Sequence, residues 1–190
     1  MCQRSSKISV KNQWSNIVLV GLMGAGKTSI GRRLATYLDI DFVDSDEEIV
    51  KVAGHSIQDI FNIYGEVKFR ELEEQVITRI LLENRKVLAT GGGAFMNPRI
   101  RDVIDMQGFC IWLKASHEVL MERTSMHKNR PLLQDGNSAK ILKELIQERY
   151  PTYSKADLTI ETGTENISQT LTKIVNALPS QLLPPTRDNP

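Results

Sequence analysis

At 190 residues and 41% hydrophobic content, the chain is long enough to bury one good core, and a single domain is the natural expectation. With 24 basic and 23 acidic residues the net charge is +1, which excludes a broad electrostatic footprint for nucleic acid or membrane. No run approaches the ~20 apolar residues of a membrane span, and the polar extension 1–15 lacks the apolar segment of a signal peptide. Cys2 lies in that extension and Cys110 in an apolar run, a pattern of a reducing compartment rather than of a structural disulfide, so the expected location is cytoplasmic. His55, His117 and His127 share no metal-ligand spacing with one another or with a cysteine.

In chain order, the apolar run Ile17-Val18-Leu19-Val20 reads as a strand. It leads through Gly21-Leu22-Met23-Gly24-Ala25-Gly26-Lys27-Thr28 into a helical pattern at Ile30, Leu34, Ala35 and Leu38. A short strand Ile40–Asp44 follows, then Ser45 and an acidic helical segment to about Ala53. Gly54 breaks it, Ser56 caps a short helix through Ile60 and Phe61, and Gly65 ends that piece. Glu66–Asn84 reads as a long helix with an apolar stripe of Val67, Leu72, Val76, Ile80 and Leu81. Val87–Thr90 is a strand running into Gly91-Gly92-Gly93, and Asn97 with Pro98 marks the start of a helix to Met106.

Phe109–Leu113 has the continuous apolar character of a strand buried in a parallel sheet. A helix over Ser116–Arg123, the polar stretch Ser125–Gly136, a helix over Ala139–Tyr150, a strand Leu158–Ile160 and a helix Asn166–Ala177 complete the pattern. The stretch Pro179–Pro190 carries four of the seven prolines and reads as a loosely held, flexible tail. Strands alternating with helices predict an α/β fold, a five-stranded parallel sheet flanked by helices, with one domain over 16–178. In such sheets ligands gather at the C-terminal strand ends, where the glycine loop, Asp44, Asp46 and the triple glycine all fall.

The strand–glycine loop–helix context makes G-x-x-x-x-G-K-[ST] at 21–28 a phosphate-binding loop. Glycines let backbone N–H groups wrap a polyphosphate, the helix N-terminus adds partial positive charge, Lys27 reaches the β- and γ-phosphates and Thr28 can ligate Mg²⁺. Many proteins with this loop place a magnesium-directed Asp at a strand end. Val87–Thr90 ends instead in glycine, which leaves Asp44, with Asp46 two residues on. One carboxylate for the metal and one for a substrate hydroxyl is a sensible division; an acidic helix start favoured by the helix dipole is the alternative.

Three consecutive glycines, 91–93, suit close approach of main chain to a ligand. Arg70, with Glu73 one turn along to orient it, Arg130 and Arg149 could hold an anionic substrate and a transferring phosphoryl group. Taken singly, each would be an ordinary surface charge.

Together these stretches resemble the shikimate kinases. The glycine loop 21–28, Asp44-x-Asp46, Gly65-Glu66 followed by Phe69-Arg70, Gly91-Gly92-Gly93, Arg130-Pro131-Leu132-Leu133 and Arg149-Tyr150-Pro151-Thr152-Tyr153 occur in that family's order between Ile17 and Ile160. The resemblance implies a P-loop, nucleoside-monophosphate-kinase-like fold and ATP-dependent phosphorylation of the 3-hydroxyl of shikimate. It places Gly24, Ala25, Gly26, Lys27, Thr28, Ser29, Arg123 and Arg130 on ATP, with Arg123 packing on the adenine. Asp46, Arg70, Glu73, Gly91, Gly92, Gly93 and Arg149 would bind shikimate. Asp46 would be the base, with Lys27 and Arg130 stabilising the phosphoryl group, and Thr28 and Asp44 directed at Mg²⁺. The stretch 125–136 corresponds to the family's mobile lid, although Ser125–Asn129 has no recognisable family pattern, and the residues beyond Ala177 fall outside the resemblance.

The partners implied are shikimate and ATP, with no nucleic acid or membrane, and the chain is expected to be a monomer. Another small-molecule kinase, such as a gluconate kinase, would share the glycine loop but has no need of two arginines around one carboxylate. A non-catalytic nucleotide-binding module would tolerate loss of Lys27, Asp46 or an arginine, and none is lost.

Overall fold

The structure, a computed structural model, describes residues 16–125 and 138–184. Of the expectations above, those for the extension 1–15, for Arg130 and nearly all of the lid, and for the last six residues lie outside the described residues.

Five strands form one parallel sheet: β1 (Asn16–Val20), β2 (Asp41–Asp44), β3 (Lys86–Ala89), β4 (Gly108–Ala115) and β5 (Leu158–Thr162). Their spatial order is β2-β3-β1-β4-β5, so the first strand is central and the chain crosses over at every step. Ile17 pairs with Val87 on one side and Phe109 on the other, and Leu19 with Ala89 and Ile111. Every residue of β1 is buried, as its unbroken apolar run predicts for a strand covered on both faces. The helices are α1 (Lys27–Leu38), α2 (Ser45–Ala53), α3 (Ile57–Leu82), α4 (Pro98–Gln107), α5 (His117–Ser125), α6 (Ser138–Tyr153) and α7 (Ile167–Ala177). Helix α1 packs on β1, β2 and β3 and against α7, while α4 packs against α3 and β4. The five-stranded parallel sheet flanked by helices is thus borne out.

Local chemistry sets the element ends. Asn97 accepts the Arg99 N–H at 2.9 Å at the start of α4, with Pro98 in the first turn. Ser56 accepts the Asp59 N–H at 3.1 Å and opens α3. Gly65 interrupts α3 with φ 79° and ψ 171°, so the two helical pieces expected on either side of it meet there at a kink. The buried side chain of Asn16 donates to Leu81 O (3.0 Å) and Gln107 O (3.1 Å) and accepts from Lys86 N (3.2 Å). One amide thereby ties the start of the central strand to the ends of α3 and α4 and to the start of β3.

Three expectations are corrected. Val67 is 72% exposed, and the buried stripe of α3 runs instead through Phe69, Glu73, Val76, Ile77, Ile80 and Leu81. The kink at Gly65 resets the helical phase, so the first turn after it points outward. Helix α6 does not stop before Pro151 but continues to Tyr153. In the last turn a proline removes a single N–H donor, which the burial of Tyr153 offsets. The chain also stays packed beyond Pro179: Ser180–Leu182 form a 3₁₀ turn, Leu182 is fully buried, and Arg85 Nη2 donates to its carbonyl at 2.5 Å.

Candidate active site

Three features at the C-terminal edge of the sheet build one cleft of about 1200 Å³. The first is the loop between β1 and α1, which puts Gly26 at the N-cap of α1 with φ 97°, a conformation open to glycine and costly for other residues. Lys27 Nζ folds onto this loop and donates to Gly21 O (2.8 Å) and Leu22 O (3.0 Å). A phosphate group arriving here meets the lysine together with the helix N-terminus. Arg123, on α5, donates through Nη1 to Gly24 O (3.3 Å) and through Nη2 to Gly163 O, bridging the loop to the segment after β5.

The second feature is the end of β2. Thr28 Oγ1 donates to Asp44 Oδ2 at 2.8 Å, and Asp44 Oδ1 accepts the Asp46 N–H at 3.0 Å. Asp44 is therefore both the N-cap of α2, as an acidic helix start implies, and the partner of the P-loop hydroxyl. Asp46 projects into the cleft from the first turn of α2. Burial, then the neighbouring Asp44, push its carboxyl above the usual range, while Lys27 and Arg70 act in the opposite direction.

The third feature is the turn after β3. A Cβ on Gly91 would lie 2.7 Å from Asp46 Oδ1 and 3.0 Å from Glu73 Oε1, and one on Gly93 would lie 2.6 Å from Arg70 Nη1. The main chain here is packed against the charged groups, so a side chain at either place would displace them. Arg70 Nη1 donates to Glu73 Oε2 at 2.8 Å, and Glu66 Oε1 is 3.3 Å from Nη2. Glu73 is 1% exposed, and its Oε1 is buried with no hydrogen-bond partner among the described residues. Burial, then the like charge of Asp46, raise its carboxyl, with the Arg70 and Arg149 guanidinium groups opposing. Arg149 reaches the same turn from α6 and donates to Gly92 O at 3.0 Å.

The structure therefore gathers the P-loop residues, Asp44, Asp46, Arg70, Glu73, Gly91–Gly93, Arg123 and Arg149 around one cleft. Two parts of its wall were not read from the sequence. Ile57, Phe61 and Phe69 form an apolar flank near Arg70, the two rings with centroids 4.5 Å apart. At the opposite end Thr162, Gly163, Thr164, Glu165 and Asn166 line the space beside Arg123. A Thr-Gly-Thr run at the end of the last strand was the available signal, since that edge of the sheet is where ligands gather.

Compared with known proteins, residues 23–179 match the family model for shikimate kinase. The chain belongs to the shikimate kinase family. A shikimate kinase of Bartonella quintana is 51% identical over 150 residues, 79% of this chain and 71% of that protein. A shikimate kinase of Mesorhizobium japonicum is 46% identical over 163 residues, 86% of this chain and 80% of its own. The solved structure of shikimate kinase from Acinetobacter baumannii in complex with shikimate is 41% identical, with a TM-score of 0.81 over 85% of this chain and 90% of that one. Shikimate kinases are small-molecule kinases with an alcohol acceptor, and the P-loop kinase fold expected from the resemblance is the one they share with this chain.

Proposed function

We infer that this chain transfers the γ-phosphoryl group of ATP to the 3-hydroxyl of shikimate, giving shikimate 3-phosphate and ADP on the route to chorismate and the aromatic amino acids. One observation carries the reading at residue level. Two guanidinium groups converge on the glycine turn at one end of a cleft whose other end is the phosphate-binding loop, and Asp46 lines the space they share. A small carboxylate-bearing polyol is what such a pocket takes, because paired arginines grip a carboxylate while Asp46 and Glu73 accept from hydroxyls.

In this reading Arg70 and Arg149 hold the shikimate carboxylate, and Gly91–Gly93 line its ring. Asp46 takes the proton of the 3-hydroxyl as that oxygen bonds to the γ-phosphorus and the bond to the β-γ bridging oxygen of ATP breaks. Lys27, with the main chain of Gly24–Ser29, holds the phosphates, Arg130 comes to the transferring group, and Arg123 lies beside the adenine. The raised carboxyl of Asp46 favours its role as base.

Mg²⁺ belongs to this assignment too. Thr28 and Asp44 present hard oxygen donors 2.8 Å apart next to the lysine, and among the described residues no group of three or more His, Cys, Asp or Glu could hold a metal alone. That suits an ion held by one or two protein oxygens together with nucleotide phosphates. The ion would neutralise phosphate charge. We further assign a single kinase domain over 16–178 acting as a monomer in the cytoplasm, with no nucleic-acid or membrane partner. The near-neutral charge, the burial of Cys110 inside β4 and a cleft built within one chain support this. No helix among the described residues is long and apolar enough to cross a membrane.

The test is ADP release from Mg²⁺-ATP with shikimate in one reaction and gluconate in another. Release that depends on shikimate alone is expected; release with gluconate, or with neither while ATP still binds, would overturn the substrate assignment.

A further inference from the structure

Two side chains from the last turns of α6 converge on one backbone oxygen. Arg149 Nη1 donates to Gly92 O at 3.0 Å, and the Tyr153 hydroxyl donates to the same atom. A carbonyl oxygen has two lone pairs, and here both are taken. The other carbonyls of the glycine turn are tied down as well: Gly91 O accepts from Ala94 N (3.1 Å) and Gly93 O from Met96 N (3.0 Å). Gly91 N–H donates to the buried hydroxyl of Ser45 at 2.9 Å. The N–H groups of Gly92 and Gly93 remain, with no acceptor among the described residues.

The C=O of Gly92 and the N–H of Gly93 belong to one planar trans peptide and point in opposite directions. Pinning the oxygen therefore aims the N–H. Gly93 lines the cleft, and its Cα faces the Arg70 guanidinium closely enough that a Cβ would meet it at 2.6 Å. We propose that Tyr153 is a positioning residue for the acceptor subsite: its hydroxyl fixes the Gly92–Gly93 peptide, and with it Arg149, so that a backbone donor and the guanidinium groups meet the carboxylate-bearing acceptor in one fixed arrangement. The inference rests on the acceptor site described under Proposed function and adds a residue to it.

Packing makes Tyr153 suited to the task. It is fully buried, and its ring is enclosed by Phe95, Trp112 and Tyr150, with centroids 6.2, 5.9 and 6.3 Å away. A tyrosine so enclosed has little freedom to swing its hydroxyl off the turn. Burial also pushes its hydroxyl well above the ordinary tyrosine range, so it remains a donor at every working pH. The continuation of α6 through Pro151 is what carries the ring to the turn.

Tyr153→Phe removes the hydroxyl and leaves Gly92 O still paired with Arg149. The expected result is a rise of about five- to tenfold in KM for shikimate, the scale of one lost hydrogen bond, with KM for ATP within about twofold of the parent. Tyr150→Phe is the matched control: its hydroxyl donates to Ala115 O, away from the turn, and both KM values should stay near those of the parent. A Tyr153→Phe enzyme with unchanged KM for shikimate, or with both KM values raised alike as a loosened core would do, overturns the proposal.

A measurement on the unaltered protein stands beside the variant. By NMR the Tyr153 hydroxyl proton should exchange slowly with water, and it and the Gly93 amide should shift on adding shikimate and not ADP. A freely exchanging hydroxyl, or one that ignores shikimate, overturns the proposal even if the variant fails to fold. Parent enzyme that releases no ADP with shikimate would instead count against the substrate assignment, and the hydroxyl exchange would still test the bond to Gly92.

Discussion

At the scale of single residues, Asp46 sets two demands against each other. Burial and the neighbouring Asp44 make its charged form unfavourable, and that same penalty raises its basicity. A carboxyl raised in the folded state costs stability wherever it is ionised, and the cost is relieved as pH falls through the raised pKa. Asp46→Asn should therefore lower kcat by about a hundredfold or more, the usual scale for losing a general base, with ATP affinity nearly intact. The thermal midpoint at neutral pH should hold or rise, because an uncharged amide replaces a poorly solvated carboxylate. Unchanged kcat would remove Asp46 as the base. In the parent enzyme the acidic limb of kcat/KM, which reports the free enzyme, should lie above 3.8, the ordinary value for the side chain, because the base works only once it has lost its proton. A limb at or below that value would contradict the environment described for this carboxylate.

At the scale of elements, the segment after β5 is held from both sides. Arg123 Nη2 donates to Gly163 O, while Glu165 Oε2 accepts the Gly163 N–H at 2.8 Å and Glu165 Oε1 accepts Lys173 Nζ from α7 at 2.7 Å. The lysine first, against the opposing effect of burial, holds the Glu165 carboxyl below the usual range, so the clamp survives to lower pH than an ordinary glutamate would allow. Glu165→Ala should raise KM for ATP by about two- to fivefold, as expected for a charged clamp whose lysine is half exposed, and leave KM for shikimate unchanged. An effect on shikimate alone would show that this loop does not serve the nucleotide.

This loop also marks where the sequence stops being legible. The P-loop, the Asp44/Asp46 pair and the Asn97 and Ser56 caps are local patterns whose chemistry depends on residues a few positions apart, and they could be read directly. Arg70, Glu73, Arg149 and Gly91–Gly93 took meaning from their order along the chain, because their contacts cross more than one element. The loop at 162–166 carries no charge pattern of its own, and Tyr153, although part of the Arg149–Tyr153 motif, took no role from it because the proline before it suggested that the helix had ended. Val67 misled for a related reason: a periodic stripe presumes an unbroken helix, and Gly65 breaks it.

At the scale of the whole molecule, catalysis and stability draw on different regions. The cleft is confined to the C-terminal edge of the sheet, where glycine turns and buried carboxylates are tolerated because the central strands β1 and β3 beneath are fully buried. The segment after α7 belongs to the opposite concern. Leu182 is fully buried, its carbonyl accepts from Arg85, and none of residues 178–184 lines the cleft. Leu182→Ala leaves a hole where a packed side chain stood, which costs about 2–5 kcal/mol for a buried leucine. Because the hole lies away from the cleft, the loss should appear as a lower midpoint in urea with unchanged slope, while kcat and both KM values at 25 °C stay near those of the parent. A midpoint that did not move would mean that the chain end is not packed in solution; a fall in kcat matching the fall in stability would mean that the packed chain end and the site do not behave as separable parts.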